Sequence, residues 1–211
     1  MIYELLAAPT GARVQERSLR STAVSTVQDG RPNDVQNHAM TTTHSAKDAE
    51  TRLNELGLVL PAPFQSPTGR PYPFVWIRTR GSRVAISGHL PLNADGSLAT
   101  EHIGKVGAEL TAEDGARAAE SVARAVLADL RRELGSLNRV AAWIRVLGMV
   151  NVAPGFDRIP QVVNGFSDVI LAVFGETIGA HARSAVGVAE LPFRVAVEVE
   201  AEVEIERAPP K

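Results

Sequence analysis

Two runs near the end of the chain decide its architecture: HARSAVGVAELP, residues 181–192, and VAVEVEAEVEIE, residues 195–206. Both alternate with the period of two that marks β-strands. In the second run Val195, Val197, Val199, Ala201, Val203 and Ile205 share one face, and Glu198, Glu200, Glu202 and Glu204 share the other, because successive strand side chains point to opposite sides of a sheet. The valine face belongs on a core. The glutamates cannot all be buried unpaired, since desolvating ionised carboxylates costs too much, so most of them must be solvated or paired. Two residues of these runs carry chemistry beyond packing. The Arg183 guanidinium can hold a planar carboxylate through two parallel hydrogen bonds, and a carboxylate such as Glu198 can orient a water or shuttle a proton. Together they suit a small acid with a reactive carbon. The plainer alternatives are that Arg183 pairs with a strand glutamate and that Glu198 is an ordinary solvated side chain.

Residues 139–150, immediately upstream of a helical pattern, are apolar on both faces and predict a strand inside a sheet rather than at its edge. Before it, Thr111 can cap a helix with Asp114 three residues on. Ala119, Val122, Val126, Leu130 and Leu134 form its stripe and Gly135 ends it, a helix of about 23 residues. After it, Ile159, Val162, Val163, Phe166, Ile170 and Val173 mark a second helix from about Asp157 to Gly175. Asn164 is the polar exception in that stripe, which a capping or buried hydrogen bond would also explain. Further upstream, residues 74–80 and 83–87 read as strands across the Gly81-Ser82 turn, with the next turn at Asn93-Ala94-Asp95-Gly96. Ala49, Leu53 and Leu56, stopped by Gly57, predict a short amphipathic helix, and Pro61 to Pro73 an irregular connection. The order strands, helix, strand, helix, strands argues for an α+β fold, a single mixed sheet with two long helices on one face. Its other face still needs a cover.

The 211 residues, 45% of them apolar, are enough for one well-buried core and too few for two ordinary domains with linkers. A net charge of −2, with 22 basic residues scattered along the chain, gives no footprint for a polyanion, and nucleic acid is not the expected partner. Without cysteine there is neither a disulfide framework nor a thiol nucleophile. Residues 1–46 are polar with little periodicity and are expected to form a flexible extension, with the domain at 47–207 and a disordered tail at 208–211. Arg13, Arg17, Arg20 and Arg31 faintly suggest a transit peptide, against which Glu4, Glu16 and Asp29 count, and Met40 offers an alternative start. No signal peptide or stretch near 18 consecutive apolar residues is read, so a cytoplasmic protein without membrane contact is expected. His89, His102 and His181 lack paired metal-ligand spacing, so no metal site is expected and His181 is read as structural. Gly104, Lys105 and Gly107 lack the Walker spacing and read as turn residues. Ser87 sits in no recognisable nucleophile elbow.

The chain resembles the RidA/YjgF superfamily, also called the L-PSP or UK-type family, over roughly residues 56–206. The resemblance rests on Ser87-Gly88 followed by Leu90-Pro91, the long helix after Gly107, Val163-Asn164, Ala182-Arg183-Ser184 with Val186, Leu191-Pro192, and Val197-Glu198-Val199-Glu200-Ala201. The wording of GKVGAELT and HARSAVGVAELP is closer to a less studied branch. The resemblance implies a chorismate-mutase-like α+β subunit in a homotrimer, with pockets at the subunit boundaries. It also implies hydrolytic deamination of reactive enamine and imine acids, such as 2-aminoacrylate, to 2-keto acids and ammonia without metal or organic cofactor. By its motifs Arg183 matches the arginine that holds the substrate carboxylate and Glu198 the conserved glutamate that works with a bound water. Tyr72, Gly88 and Asn164 fall where other pocket residues lie. Two positions depart from the pattern: Ala185 replaces a frequent cysteine, and His89 a frequent glutamine. His89 is therefore a candidate specificity residue. The alternative is a non-catalytic trimeric binder of small carboxylates such as 2-keto acids. A ribonuclease, the activity in some family names, has little support from charge or from 5% aromatic content.

A simple hairpin of residues 183–190 and 195–205 turning near Pro192 would set Arg183 against Glu202, roughly 13 Å from Glu198. A pocket using both residues is then easier to build from two subunits.

Overall fold

The computed structural model describes residues 48–206, so the expectations for residues 1–46 and 208–211 fall outside the described residues. A short helix α1 (Ala49–Glu55) is followed by the hairpin β1 (Ile77–Arg80) and β2 (Arg83–His89), then α2 (Ala112–Leu134), β3 (Val140–Asn151), α3 (Ile159–Gly179), β4 (Ala182–Val188) and β5 (Val197–Ile205). The strands form one mixed sheet in the order β1-β2-β5-β3-β4. All its pairings are antiparallel except that of β3 with β4. A parallel neighbour needs a long crossover, and α3 is the crossover between β3 and β4.

Helix α2 forms as its sequence dictates. Thr111 accepts from the Asp114 backbone N–H at 3.1 Å while the Asp114 carboxylate accepts from the Thr111 N–H at 2.9 Å, so orphan donors at the helix start are satisfied reciprocally. Gly135 closes the helix with φ 80°, a left-handed conformation that glycine adopts without a Cβ penalty. The α2 stripe of Val122, Val126 and Leu130 is fully buried, as are Val162, Val163, Phe166 and Ile170 of α3. Both helices lie on the sheet face that carries Val197, Val199 and Val203.

Several boundaries differ from the sequence reading. The first strand begins at Ile77 rather than Phe74: Phe74 and Trp76 pack with Tyr72 and Phe64, and of this segment the Trp76 carbonyl still bonds to β2. Leu56 is 49% exposed, since α1 ends before it and Leu53 alone of the two leucines enters the core. Helix α3 starts two residues later than expected, and at Gly175 (φ 71°) its backbone breaks before one further turn. The last two strands do not form a hairpin: β5 runs between β2 and β3, and β4 lies beyond β3 at the edge. By length and composition α3 could cross a bilayer, with a mean hydropathy of 1.3, but its apolar side is packed on α2 and β3.

The helix pair depends on one close approach. A Cβ on Gly165 of α3 would lie 2.2 Å from the backbone oxygen of Ala116 in α2, and backbone cannot swing aside as a side chain can. Gly165→Ala is expected to cost about 1–3 kcal/mol by forcing the helices apart. Urea unfolding at unchanged m-value measures it, and an unshifted midpoint would show that the contact is not tight.

Candidate functional site

The sheet register separates the two residues on which the site was expected to rest. Arg183 of β4 is opposite Val146 of β3, itself opposite Ala201 of β5, and these positions face the helices. Glu198 is opposite Met149, one residue out of phase and therefore on the open face. Within the chain the two side chains are two strands apart, roughly 10 Å across the sheet, and on opposite faces of it. The hairpin that would have set Arg183 against Glu202 is precluded by β3, which lies between their strands.

Arg183 leans onto α3. Its Nη1 donates to Ser167 Oγ at 3.0 Å and its Nη2 to the Pro160 carbonyl at 3.3 Å. No carboxylate among the described residues is paired with it, so the plainer reading of Arg183 as a strand ion-pair partner does not hold here. Two N–H groups of five are used, which leaves three for a ligand. Beside it is a depression of about 270 Å³ lined by Ser167, Leu171, Ala180, His181 and Arg183. Asn164 is exposed and shares a helix face with Pro160 and Ser167, four residues after one and three before the other. It is outside the buried stripe, on the helix face that also carries the two groups bonded to Arg183.

Glu198 stands apart from Arg183 and Asn164, on the open face. Its neighbours on the strand are accounted for: Glu202 pairs with Arg83 at 2.6 Å, Glu204 accepts from Ser82 Oγ at 2.9 Å, and Glu200 is exposed. Glu198 alone is half-buried without a hydrogen bond or ion pair to the described residues. Burial raises its carboxyl above the ordinary glutamate range, the Glu200 charge adds to that, and His89 opposes it. The carboxylate lies against Gly88, where a Cβ would come 1.9 Å from Glu198 Oε1. A side chain at position 88 and this carboxylate position exclude each other.

A bulge places Gly88. Ile86 is opposite Ala201 and His89 opposite Val199, so three steps along β2 match two along β5 and an extra residue sits at Ser87-Gly88. The extra residue also returns His89 to the helix side, where it is 3% exposed. Its Nδ1 lies 2.7 Å from the Ser87 carbonyl and its Nε2 3.0 Å from Asp129 of α2. Burial works to raise the Asp129 carboxyl, but His89 and Arg132 outweigh it and hold it below the usual range. The His89 ring is thus committed to the core, between the Ser87 carbonyl and Asp129. Tyr72 is half-buried, accepts from Ser66 Oγ at 3.1 Å, and packs among Phe64, Phe74 and Trp76. The Ser87 N–H donates to the Trp76 carbonyl at 2.9 Å, which fastens this aromatic loop to the bulge. Gly88 and Glu198 thus meet on the open face, while the Trp76 ring of the aromatic loop lies 5.5 Å from the His89 ring on the helix side.

Two contributors escaped the sequence reading as site residues, Ser167 and His181, which are hydrogen-bonded to each other at 3.0 Å behind Arg183. Their i-to-i+14 separation carries no local signal. Lys105 is a strut: its Nζ donates to Asn151 Oδ1 at 2.8 Å and pairs with Glu190 at 3.1 Å, while Gly104 and Gly107 supply positive φ at the turn.

A single mixed sheet with two long helices on one face is an α+β architecture, here with an arginine on its edge strand and a half-buried glutamate on its open face. The chain belongs to the family described as "YjgF/chorismate mutase-like, putative endoribonuclease", whose model matches residues 50–200. It is 42% identical over 153 residues to Protein TCP17 of Trypanosoma cruzi, covering 72% of this chain and 91% of that one. Among solved structures it is similar to the Agrobacterium tumefaciens protein Atu1372, described as of unknown function (37% identity, TM-score 0.66, 75% and 92% of the two chains). It is also similar to a Shewanella oneidensis protein described in the same endoribonuclease terms (27% identity, TM-score 0.68, 75% and 100%).

The raised Glu198 carboxyl has a measurable consequence. A group raised in the folded state contributes stability that is full below its unfolded value and is lost as pH rises through the folded one. Glu198→Gln removes that loss. The variant should melt higher than the parent near neutral pH, with the gap closing below about pH 4. A parent that melts higher at neutral pH would mean that Glu198 has a stabilising partner.

Proposed function

We propose that this protein is a homotrimeric cytoplasmic hydrolase of reactive enamine and imine acids, releasing 2-keto acids and ammonia, with each site built from two subunits. The observation that carries this reading is the division described above: an arginine with no carboxylate partner among the described residues on one face, and a raised glutamate with no partner among them on the other. Neither is complete alone. A neighbouring copy laid against the open face brings the Arg183 half-site of one chain to the Glu198 half-site of the next. That face carries Leu147, Met149 and the 40% exposed Val186, apolar surface that association would cover.

In this site the substrate carboxylate sits on the remaining N–H groups of Arg183, with Asn164 at its side and Tyr72 and the Gly88 backbone as walls. A water held by Glu198 adds to the C=N carbon, and Glu198 takes its proton as the C–O bond forms. Glu198 returns that proton to the nitrogen to give a carbinolamine, whose hydroxyl proton follows by the same route as the C–N bond breaks, so that ammonia leaves as the C=O of the keto acid forms. A carboxyl raised by burial is suited to these proton transfers. Imines hydrolyse readily, so positioning and roughly 10²- to 10⁴-fold acid/base help suffice without metal or organic cofactor.

A second reading, a non-catalytic trimeric binder of 2-keto acids, is favoured by the fact that the residues lining the Arg183 depression all come from a single chain, without Glu198. The family's endoribonuclease description is harder to fit: the open face carries an acidic row and the chain a net charge of −2, both repelling phosphate. RNA cleavage that depended on Arg183 would reverse that judgement.

Two measurements decide. Glu198→Gln should lower imine turnover by about 10²-fold or more while keto-acid binding survives, whereas Arg183→Ala loses both; unchanged turnover in Glu198→Gln selects the binder. Refolding the two variants together in equal amounts should restore activity, because about one interface in four then joins an intact Arg183 to an intact Glu198. No recovery in mixed trimers places both residues in the same subunit's site. Light scattering giving a monomer mass at micromolar concentration removes the shared site altogether.

A further inference from the structure

We propose that Ser167 and His181 are positioning residues that set the guanidinium of Arg183 through a one-way chain of hydrogen bonds, an inference that rests on reading Arg183 as the ligand of the substrate carboxylate. The direction of the chain follows from a proton inventory. Arg183 has only donors, so its Nη1 donates to Ser167 Oγ at 3.0 Å. Ser167 Oγ keeps its own hydrogen, and the other partner in reach is His181 Nε2 at 3.0 Å. Across the ring, His181 Nδ1 faces the Gly179 carbonyl at 2.7 Å. A carbonyl only accepts, so Nδ1 carries the proton, Nε2 is bare, and the serine hydroxyl donates to it. Every link has one donor and one acceptor: Arg183 to Ser167, Ser167 to His181, His181 to Gly179. A doubly protonated ring would leave the serine hydrogen without a partner.

The chain is sheltered and braced. Ser167 is 8% exposed, and the His181 ring packs beside Trp143 at 6.3 Å between centroids. It joins the middle of α3 to its C-terminal end and to the start of β4, the strand that carries Arg183. An arginine on an edge strand has many rotamers, and one aimed at a planar carboxylate must give up most of them. Ser167 removes that freedom from one side of the guanidinium and the Pro160 carbonyl from the other, leaving the free N–H groups facing the depression. The pair touches neither the reacting carbon nor the water, so its effect belongs in binding rather than in the chemical step.

The test is steady-state hydrolysis of a freshly generated imino acid, with calorimetric binding of the corresponding 2-keto acid, on the trimeric parent and on Ser167→Ala, Ser167→Thr, His181→Phe and Arg183→Ala. Ser167→Ala should raise KM and the keto-acid Kd about tenfold, the effect of one lost hydrogen bond to a charged group, with kcat within about threefold of the parent. Ser167→Thr, which keeps the hydroxyl, should restore both constants, and His181→Phe should resemble Ser167→Ala. A folded Ser167→Ala protein with parental KM and Kd, or one whose loss is all in kcat, overturns the positioning role. So does a threonine variant no better than alanine. If Ser167→Ala fails to fold, parental constants in His181→Phe overturn it equally. A parent indistinguishable from Arg183→Ala in both binding and turnover fails the carboxylate reading itself and removes the positioning role with it, a pattern separable from the others.

Discussion

Val197, Val199 and Val203 of β5 pack at full burial beneath α2 and α3, and the alternation of a strand then sends Glu198, Glu200 and Glu202 to the opposite side. That single constraint fixes the rest. β5 lies at the middle of the sheet, between β2 and β3, so the registers of both neighbours are read against its valines. β3 inherits one buried face and one that carries Leu147 and Met149; β4, paired to β3, inherits the same two sides. Arg183 falls with the valines and Glu198 with the acids. The separation of Arg183 from Glu198 is therefore a consequence of core formation, and moving Glu198 to the other face would put a charge into the hydrophobic layer.

Electrostatics distinguishes Glu198 from its neighbours without any special residue type. Arg83 reaches Glu202 and Ser82 reaches Glu204 from the hairpin turn at one end of β2, while Glu200 is exposed. At the other end, β2 presents glycine where a side chain would otherwise stand. Glu198 fills that space and is desolvated by it. The cost is borne by a core whose helices meet at glycine-to-backbone distance.

Much of this was legible in the sequence, because local rules agreed with the global fold. The Thr111-Asp114 cap, the 3.6-residue stripes of both long helices, the Gly135 stop and the two-faced β5 are all read from neighbours within a few positions. Strand partners were not legible: nothing in residues 182–205 announces that β4 passes to the far side of β3, so adjacency along the chain suggested a hairpin. Arg183 and Glu198 could be singled out as chemically capable, while the side of the sheet on which Arg183 falls depended on that pairing. His89 looked like a site residue because it adjoins Gly88, and the bulge between Ile86 and His89 turned it toward Asp129 instead. The Ser167–His181 contact joins positions too far apart for any periodicity to show.

The bulge at Ser87-Gly88 bears on how this protein can change over evolutionary time. It adjusts the phase between β2 and β5 by one residue, and phase in a strand decides which side of the sheet every later residue meets. Substitutions around it alter shape or charge by degrees. Loss of a single residue there would invert the strand at one stroke, lifting His89 off Asp129 and turning its neighbours over with it. Descendants of this chain are thus held to its length here, as they are to glycine at position 88, and insertions and deletions should gather in the loops instead, such as the one leading into β1.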